Sequence, residues 1–167
     1  VLTKKDHPLA TSKGALTLAS LAEHPLITYV FSSNRGSSFL RAFEKENLEA
    51  NVVFTARDAD VIKTYVRMGM GVGVLAPMAV LAEDLDDFHA TCAKGLFPTV
   101  TTGIGMPRDR ALRRYMLEFI SMFAPHWPRE SIELATTAES QDIVDELAKA
   151  VDLPTRSGCD KGIPVAA

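Results

Sequence analysis

Ser32-Ser33-Asn34-Arg35-Gly36-Ser37-Ser38 gathers five hydroxyl or amide side chains and one guanidinium between two apolar stretches. Groups of this kind hydrogen-bond small anions, and each bond to a charged partner is worth roughly 1.5–3 kcal/mol. A helix starting directly behind the run would aim its unpaired N–H groups and the positive end of its dipole at the same spot. The same residues also serve as plain helix caps with no ligand at all. A second polar junction is Thr55-Ala56-Arg57-Asp58-Ala59-Asp60. There Thr55 could face a cleft, while Asp58 or Asp60 would repel an anion unless turned to capping; caps beside a surface arginine are the plainer reading.

Other chemistries find little support. Gly69-Met70-Gly71-Val72-Gly73 resembles a nucleotide loop in composition, but it ends a helix and enters a strand, the reverse of a dinucleotide fingerprint. A helix C-cap with a tight turn accounts for it. His7, His24, His89 and His126 share no ligand spacing, and the first two precede prolines in turns. No serine is marked as a nucleophile, so neither a catalytic residue nor a metal site is expected. Arg108, Arg110, Arg113 and Arg114 read as the solvated face of an amphipathic helix. Cys92 and Cys159 sit in unrelated segments, so a disulfide framework is not expected and a reducing cytoplasm suits the chain.

The elements that must position these groups alternate. A strand end at Val1-Leu2-Thr3 meets the turn Asp6-His7-Pro8. A short helix spans 16–23 with Thr17 as its cap, and Leu26 to Phe31 reads as a buried strand. After the polar loop, a helix runs to about Asn47 with Phe39, Leu40 and Phe43 on one face. A strand over 51–55 follows, then a helix capped by Asp58 or Asp60 with the stripe Val61, Ile62, Tyr65, Val66, then a strand over 72–76. The helical crossovers require the three strands from residue 26 to 76 to be parallel, in an open α/β sheet. Pro77 opens a short helix to about Ala82, an acidic loop covers 83–87, and 97–106 has strand character. A helix capped by Asp109 carries Leu112, Tyr115, Met116, Phe119, Ile120 and Phe123, and 129–151 makes one or two more with Ser140 as a cap. The tail 155–167 has no period and reads as disordered.

The 167 residues suit an ordinary domain, with 47% apolar and 23% charged residues. A net charge of −3 argues against nucleic-acid binding by this stretch itself. No apolar run is long enough to span a bilayer, and no secretion signal is visible. The chain opens on Val1 rather than Met, which is expected of a fragment.

Several stretches together resemble the effector domain of LysR-type transcription regulators. Val1-Leu2-Thr3 with Asp6-His7-Pro8-Leu9-Ala10 resembles the crossover strand and turn, and 16–29 with His24-Pro25-Leu26-Ile27 resembles the element after it. Val53-Phe54-Thr55-Ala56-Arg57-Asp58-Ala59-Asp60-Val61-Ile62-Lys63-Thr64-Tyr65-Val66-Arg67, continued by Met68-Gly69-Met70-Gly71-Val72-Gly73-Val74, resembles the CysB-type branch governing cysteine biosynthesis and sulfur assimilation. Thr101-Thr102-Gly103-Ile104-Gly105, the pattern Tyr115-Met116, Phe119-Ile120, Phe123-Ala124-Pro125-His126, and the tail to Asp152-Leu153-Pro154 are similar to the same branch.

The resemblance implies a two-lobed, periplasmic-binding-protein-like effector domain, of which this chain holds one complete lobe with an open mixed sheet. It implies a second lobe with its two crossover strands over 1–106, a helix over 107–128 that normally packs on the absent first lobe, and a helical extension over 129–154. DNA would be bound only through a missing N-terminal winged helix-turn-helix, usually in a homotetramer, in the cytoplasm and away from any membrane. The implied effectors are sulfate, thiosulfate, O-acetylserine or N-acetylserine, and no other cofactor is implied. The effector-contacting set becomes Ser32, Ser33, Asn34, Arg35, Ser37, Thr28 and Thr55. The family has a threonine beside Gly-Arg; here Ser33 or Asn34 takes its role, with a one-residue insertion. The other fold-compatible function is a solute-binding protein of a transport system. An enzyme of this fold would need a cleft residue with a strongly shifted pKa, and the sequence nominates none.

Overall fold

Leu26 and Ile27 are both fully buried, and they face opposite ways. Leu26 packs with Leu18, Leu21, Phe39, Phe43 and Val72, whereas Ile27 packs with Leu2, Ala56, Ile62, Val66 and Phe88. A strand apolar on both faces belongs in the middle of a sheet covered on both sides, and that is where it lies. The computed structural model describes residues 1–12, 14–106 and 112–154, in two units that divide after Val100.

The first unit runs β1 (Leu2–Lys4), α1 (Pro8–Thr11), α2 (Leu18–Ala22), β2 (Leu26–Tyr29), α3 (Ser38–Lys45), β3 (Val52–Ala56), α4 (Ala59–Arg67), β4 (Val72–Gly73) and β5 (Phe88–Ala90). The sheet order is β3-β2-β4-β1-β5. Strand β2 is parallel to β3 and β4, and β1 is antiparallel to β4 and β5, so the sheet is mixed and open. The three strands expected to be parallel are parallel. Helices α2 and α3 cover one face and α4 the other, each anchored by side chains whose full burial is worth roughly 1.5–3 kcal/mol apiece.

The caps follow the sequence closely. Thr17 and Ser20 form a reciprocal capping box on α2, with both N–H···O distances 3.1 Å. Of the two aspartates available to α4, Asp58 is the cap, its Oδ1 accepting from the Val61 N–H at 2.9 Å. Gly69 ends α4 with φ of 77°, the left-handed cap expected of it. Glycines 71 and 73 have another reason. A Cβ on Gly71 would collide with the Pro25 carbonyl, and one on Gly73 would sit 2.9 Å from Val66 Cγ2. Thus Gly73 lets α4 lie close on β4, and Gly71, just before that strand, lets the chain pass the Pro25 carbonyl.

Several expected elements differ. Strand β2 stops at Tyr29, and Val30–Ser33 is a 3₁₀ turn, because the ladder loses its partners there. The ladder in β4 likewise covers only Val72–Gly73. Pro77–Ala79 and Ala82–Asp86 are two separate 3₁₀ turns instead of one helix. The fifth strand is Phe88–Ala90, whose Phe88 and Ala90 bury against Leu2; residues 98–106 form no strand. Pro98, Gly103 and Gly105 interrupt that stretch, and Pro98 through Gly105 stay exposed. On α4, Val61 is exposed while Lys63 is buried.

Strand β3 also hides an irregularity. Leu26 pairs with Val52 but Ile27 pairs with Phe54, leaving Val53 unpaired as a bulge. The bulge flips the alternation, so Val52 faces the α2–α3 side and Phe54 the α4 side.

The second unit contains α5 (Arg114–Phe123), α6 (Arg129–Thr137) and α7 (Gln141–Lys149), so residues 129–151 make two helices. Helix α5 buries Ile120 and exposes Tyr115, Phe119, Met122 and Phe123 along one stripe. Arg129 ties α6 to α5 through Glu118 at 2.8 Å and pairs with Glu133 at 3.1 Å. Ser140 holds the cap position of α7. The expected Asp109 cap, Arg108, Arg110, Cys159 and the tail from 155 lie outside the described residues. Cys92 is disulfide-bonded, against the expectation from the sequence, since spacing along the chain does not show which cysteines the fold brings together. Among the described residues, no helix is long and apolar enough to cross a membrane.

Candidate functional site

The polar loop leaves the carboxyl end of β2, a parallel strand, where open α/β sheets place their ligands. Its geometry is set largely by its own hydrogen bonds. Ser37 caps α3, its Oγ accepting from the Leu40 N–H at 3.2 Å and donating to the Ser32 carbonyl. Ser33 Oγ donates to the Val30 carbonyl at 2.9 Å, and the Ser37 N–H donates to the Asn34 carbonyl at 3.0 Å. The hydroxyl protons of Ser33 and Ser37 are therefore used within the loop. Donors remaining for an anion are the N–H groups of Ser38 and Phe39 at the start of α3, which have no intrahelical carbonyl, and the exposed side chains of Asn34 and Arg35.

Thr55 lies across from this loop. It pairs in register with Thr28, and with Ser33 it lines a shallow groove of about 420 Å³ completed by Leu40, Ala50, Val52, Val53 and Phe54. Ser33 and Thr55 are thus brought together, and Ser32 and Ser37 are joined by their own hydrogen bond. Thr28 stands behind them, 1% exposed, with its hydroxyl donating to the Val74 carbonyl at 2.9 Å. That bond fastens the end of β2 to the chain just beyond β4.

Two further features of this end of the sheet are not evident from the composition of the loop. Arg41, one turn into α3, lays its guanidinium beside Gly36: a Cβ there would be 3.4 Å from Arg41 Nη2. This adds a second cation to the loop. Its spacing of four residues from the Ser37 cap is the signal that could have found it. Phe31 is 65% exposed and stacks on Tyr29 at 4.9 Å, while Tyr29 Oη accepts from the Ala76 N–H at 3.4 Å. The repulsion feared from Asp58 and Asp60 is reduced, since Asp58 is used as a cap and Asp60 lies 3.5 Å from Lys63. Among the described residues, no group of three or more His, Cys, Asp or Glu side chains is placed to hold a metal ion.

A mixed α/β sheet with a polar loop and a helix N-terminus at one end is the architecture of a small-molecule binding lobe. Residues 1–128 match the LysR substrate binding domain, and the chain belongs to that family. It is 40% identical over 156 residues to the HTH-type transcriptional regulator CysB of Haemophilus influenzae, covering 93% of this chain and 48% of that protein. Over 126 residues it is 42% identical to the HTH-type transcriptional regulator SsuR of Burkholderia cenocepacia, covering 75% of this chain and 41% of that one. The solved cofactor-binding domain of the Cbl transcriptional regulator superposes with a TM-score of 0.74 at 33% identity, covering 83% of this chain and 60% of that one. The chain spans less than half the length of these curated relatives.

Proposed function

We propose that the chain is the effector-sensing part of a transcription regulator controlling cysteine biosynthesis and sulfur assimilation. It would take sulfate, thiosulfate, O-acetylserine or N-acetylserine in a cleft beside the loop after β2. One observation carries the reading: a chain 40% identical to CysB over 93% of its length has a hydroxyl- and amide-rich loop leading into a capped helix. The donors would be the N–H groups of Ser38 and Phe39 with the side chains of Asn34 and Arg35, and Ser33 and Thr55 would line the other side. Regulation would follow from population shift, with the effector favouring one arrangement of two lobes and so of the DNA-binding assembly. In the same reading the regulator works in the cytoplasm as a homotetramer and meets DNA through a helix-turn-helix outside this chain. A transport solute-binding role has no comparable support, since the relatives are transcriptional regulators.

The test uses a chain extended at its N-terminus to the full effector domain of these relatives. An effector at about 100 times its Kd stabilises by about 2.7 kcal/mol, a rise in Tm of several degrees. Ser33→Ala with Asn34→Ala should weaken that response. No rise with any of the four compounds overturns the effector assignment; an unchanged response in the double variant removes this loop from the site.

A further inference from the structure

His7 and His24 are seventeen positions apart, yet their rings meet edge to face with centroids 4.6 Å apart. They come from two turns at the end of the sheet away from the polar loop. His7 follows β1 and caps α1, its Nδ1 accepting the Leu9 N–H at 3.2 Å. That bond requires an unprotonated Nδ1, so it exists only with the neutral ring. His24 is fixed at the root of β2: its own N–H donates to the Leu21 carbonyl at 3.1 Å, and the next residue, Pro25, accepts the Val72 N–H at 2.8 Å.

Independently of the proposed effector site, we propose that this pair is a proton-sensitive latch: protonation removes the His7 cap, sets the two imidazoles against each other, and frees α1 from the root of β2. Helix α1 has four residues, too few to hold itself once the cap is gone. The charged groups around the pair are few. Asp6 lies on the turn of His7, Lys4 and Lys5 precede it at the end of β1, and Glu23 precedes His24 at the end of α2. Burial first, and then His24, hold the His7 imidazole below its usual value, against the opposing pull of Asp6. A histidine favoured in its neutral form stabilises the fold fully above its unfolded pKa of about 6.5, and that stability is lost as pH falls through the lower folded value.

Amide exchange of Leu9, followed by NMR on the full chain and corrected for the intrinsic effect of pH, reads the cap directly. Between about pH 7.5 and about pH 5 its protection should fall about fivefold, the factor that loss of an N-cap represents. His7→Asn keeps an acceptor at the cap without a titrating ring, so its Leu9 protection should not change with pH. His24→Gln removes the opposing ring, so the midpoint should move to higher pH. Protection that is constant with pH in the parent chain, or that falls equally in His7→Asn, overturns the latch. A midpoint unmoved by His24→Gln overturns the role of the pair.

Discussion

Lys63 ends in an ammonium group under the surface of the first unit, 2.6 Å from Asp84 and 3.5 Å from Asp60. Burial alone would lower its pKa, but the hydrogen bonds and charges of Asp84 and Asp60 raise it above the ordinary lysine value. Burial likewise pushes the Asp84 carboxyl up; the Lys63 hydrogen bond, the Leu81 N–H and the charges of Lys63 and Arg67 outweigh it and hold it below the usual range. The depressed carboxyl sets the sign: this stability is complete above about pH 4 and is lost as pH falls through the lower folded value. Lys63→Met keeps the stem but strands Asp84, and should cost about 1–2 kcal/mol, between the values for exposed and for deeply buried pairs. Urea denaturation at neutral pH measures it, and the loss should shrink near pH 3. In the sequence Asp84 belongs only to an acidic loop, and Lys63 lies off the apolar stripe of α4. Helical spacing cannot see a partner twenty-one positions away, and charge is a poor guide to burial when the partner is unseen.

At the level of elements, what was readable was local. The Thr17, Ser37 and Asp58 caps each act within three residues, so their signal is in the sequence itself. Ser37→Ala should cost about 1 kcal/mol by uncapping α3, and should also release the Ser32 carbonyl that the same hydroxyl holds. A lowered midpoint in urea with an unchanged m-value is the expected result; an unchanged midpoint would show that the loop is held by other means. What depends on pairing was not readable. The Val53 bulge is a property of two strands together, and nothing in Val52-Val53-Phe54 announces it. Residues 98–106 have the threonine, valine and isoleucine of a strand but join no ladder among the described residues, and Phe97 makes only an isolated bridge with Lys94, whereas Phe88–Ala90 is short and follows four acidic residues, yet docks on β1. Strand formation here is decided by burial against Leu2, not by intrinsic preference. Of the candidate site, the loop and its helix were legible as composition, while the use of its hydroxyls inside the loop and the approach of Arg41 needed coordinates.

For the whole molecule, the proposed function sets a limit on what this chain does by itself. It covers 60% of the solved Cbl domain that it resembles, so in the proposed two-lobed arrangement it supplies only part of the cleft. The chain alone should therefore bind sulfate or an acetylserine at least tenfold more weakly than the extended domain, because contacts from one side leave the ligand largely solvated. Isothermal titration of both proteins under one set of conditions tests this; micromolar binding by the present chain would mean that the site is complete within it.

The missing Cβ at Gly71 and at Gly73 has a consequence for how the gene can vary. Every single-base missense change in a glycine codon introduces a residue with a Cβ. At Gly71 that atom meets the Pro25 carbonyl, and at Gly73 it meets Val66 and Ile62, where overpacking costs about 1–3 kcal/mol. No one-step substitution at either codon avoids the collision. A saturation library of this gene, selected for folded protein, should therefore be depleted of variants at those two codons, while neighbouring Met70 tolerates many.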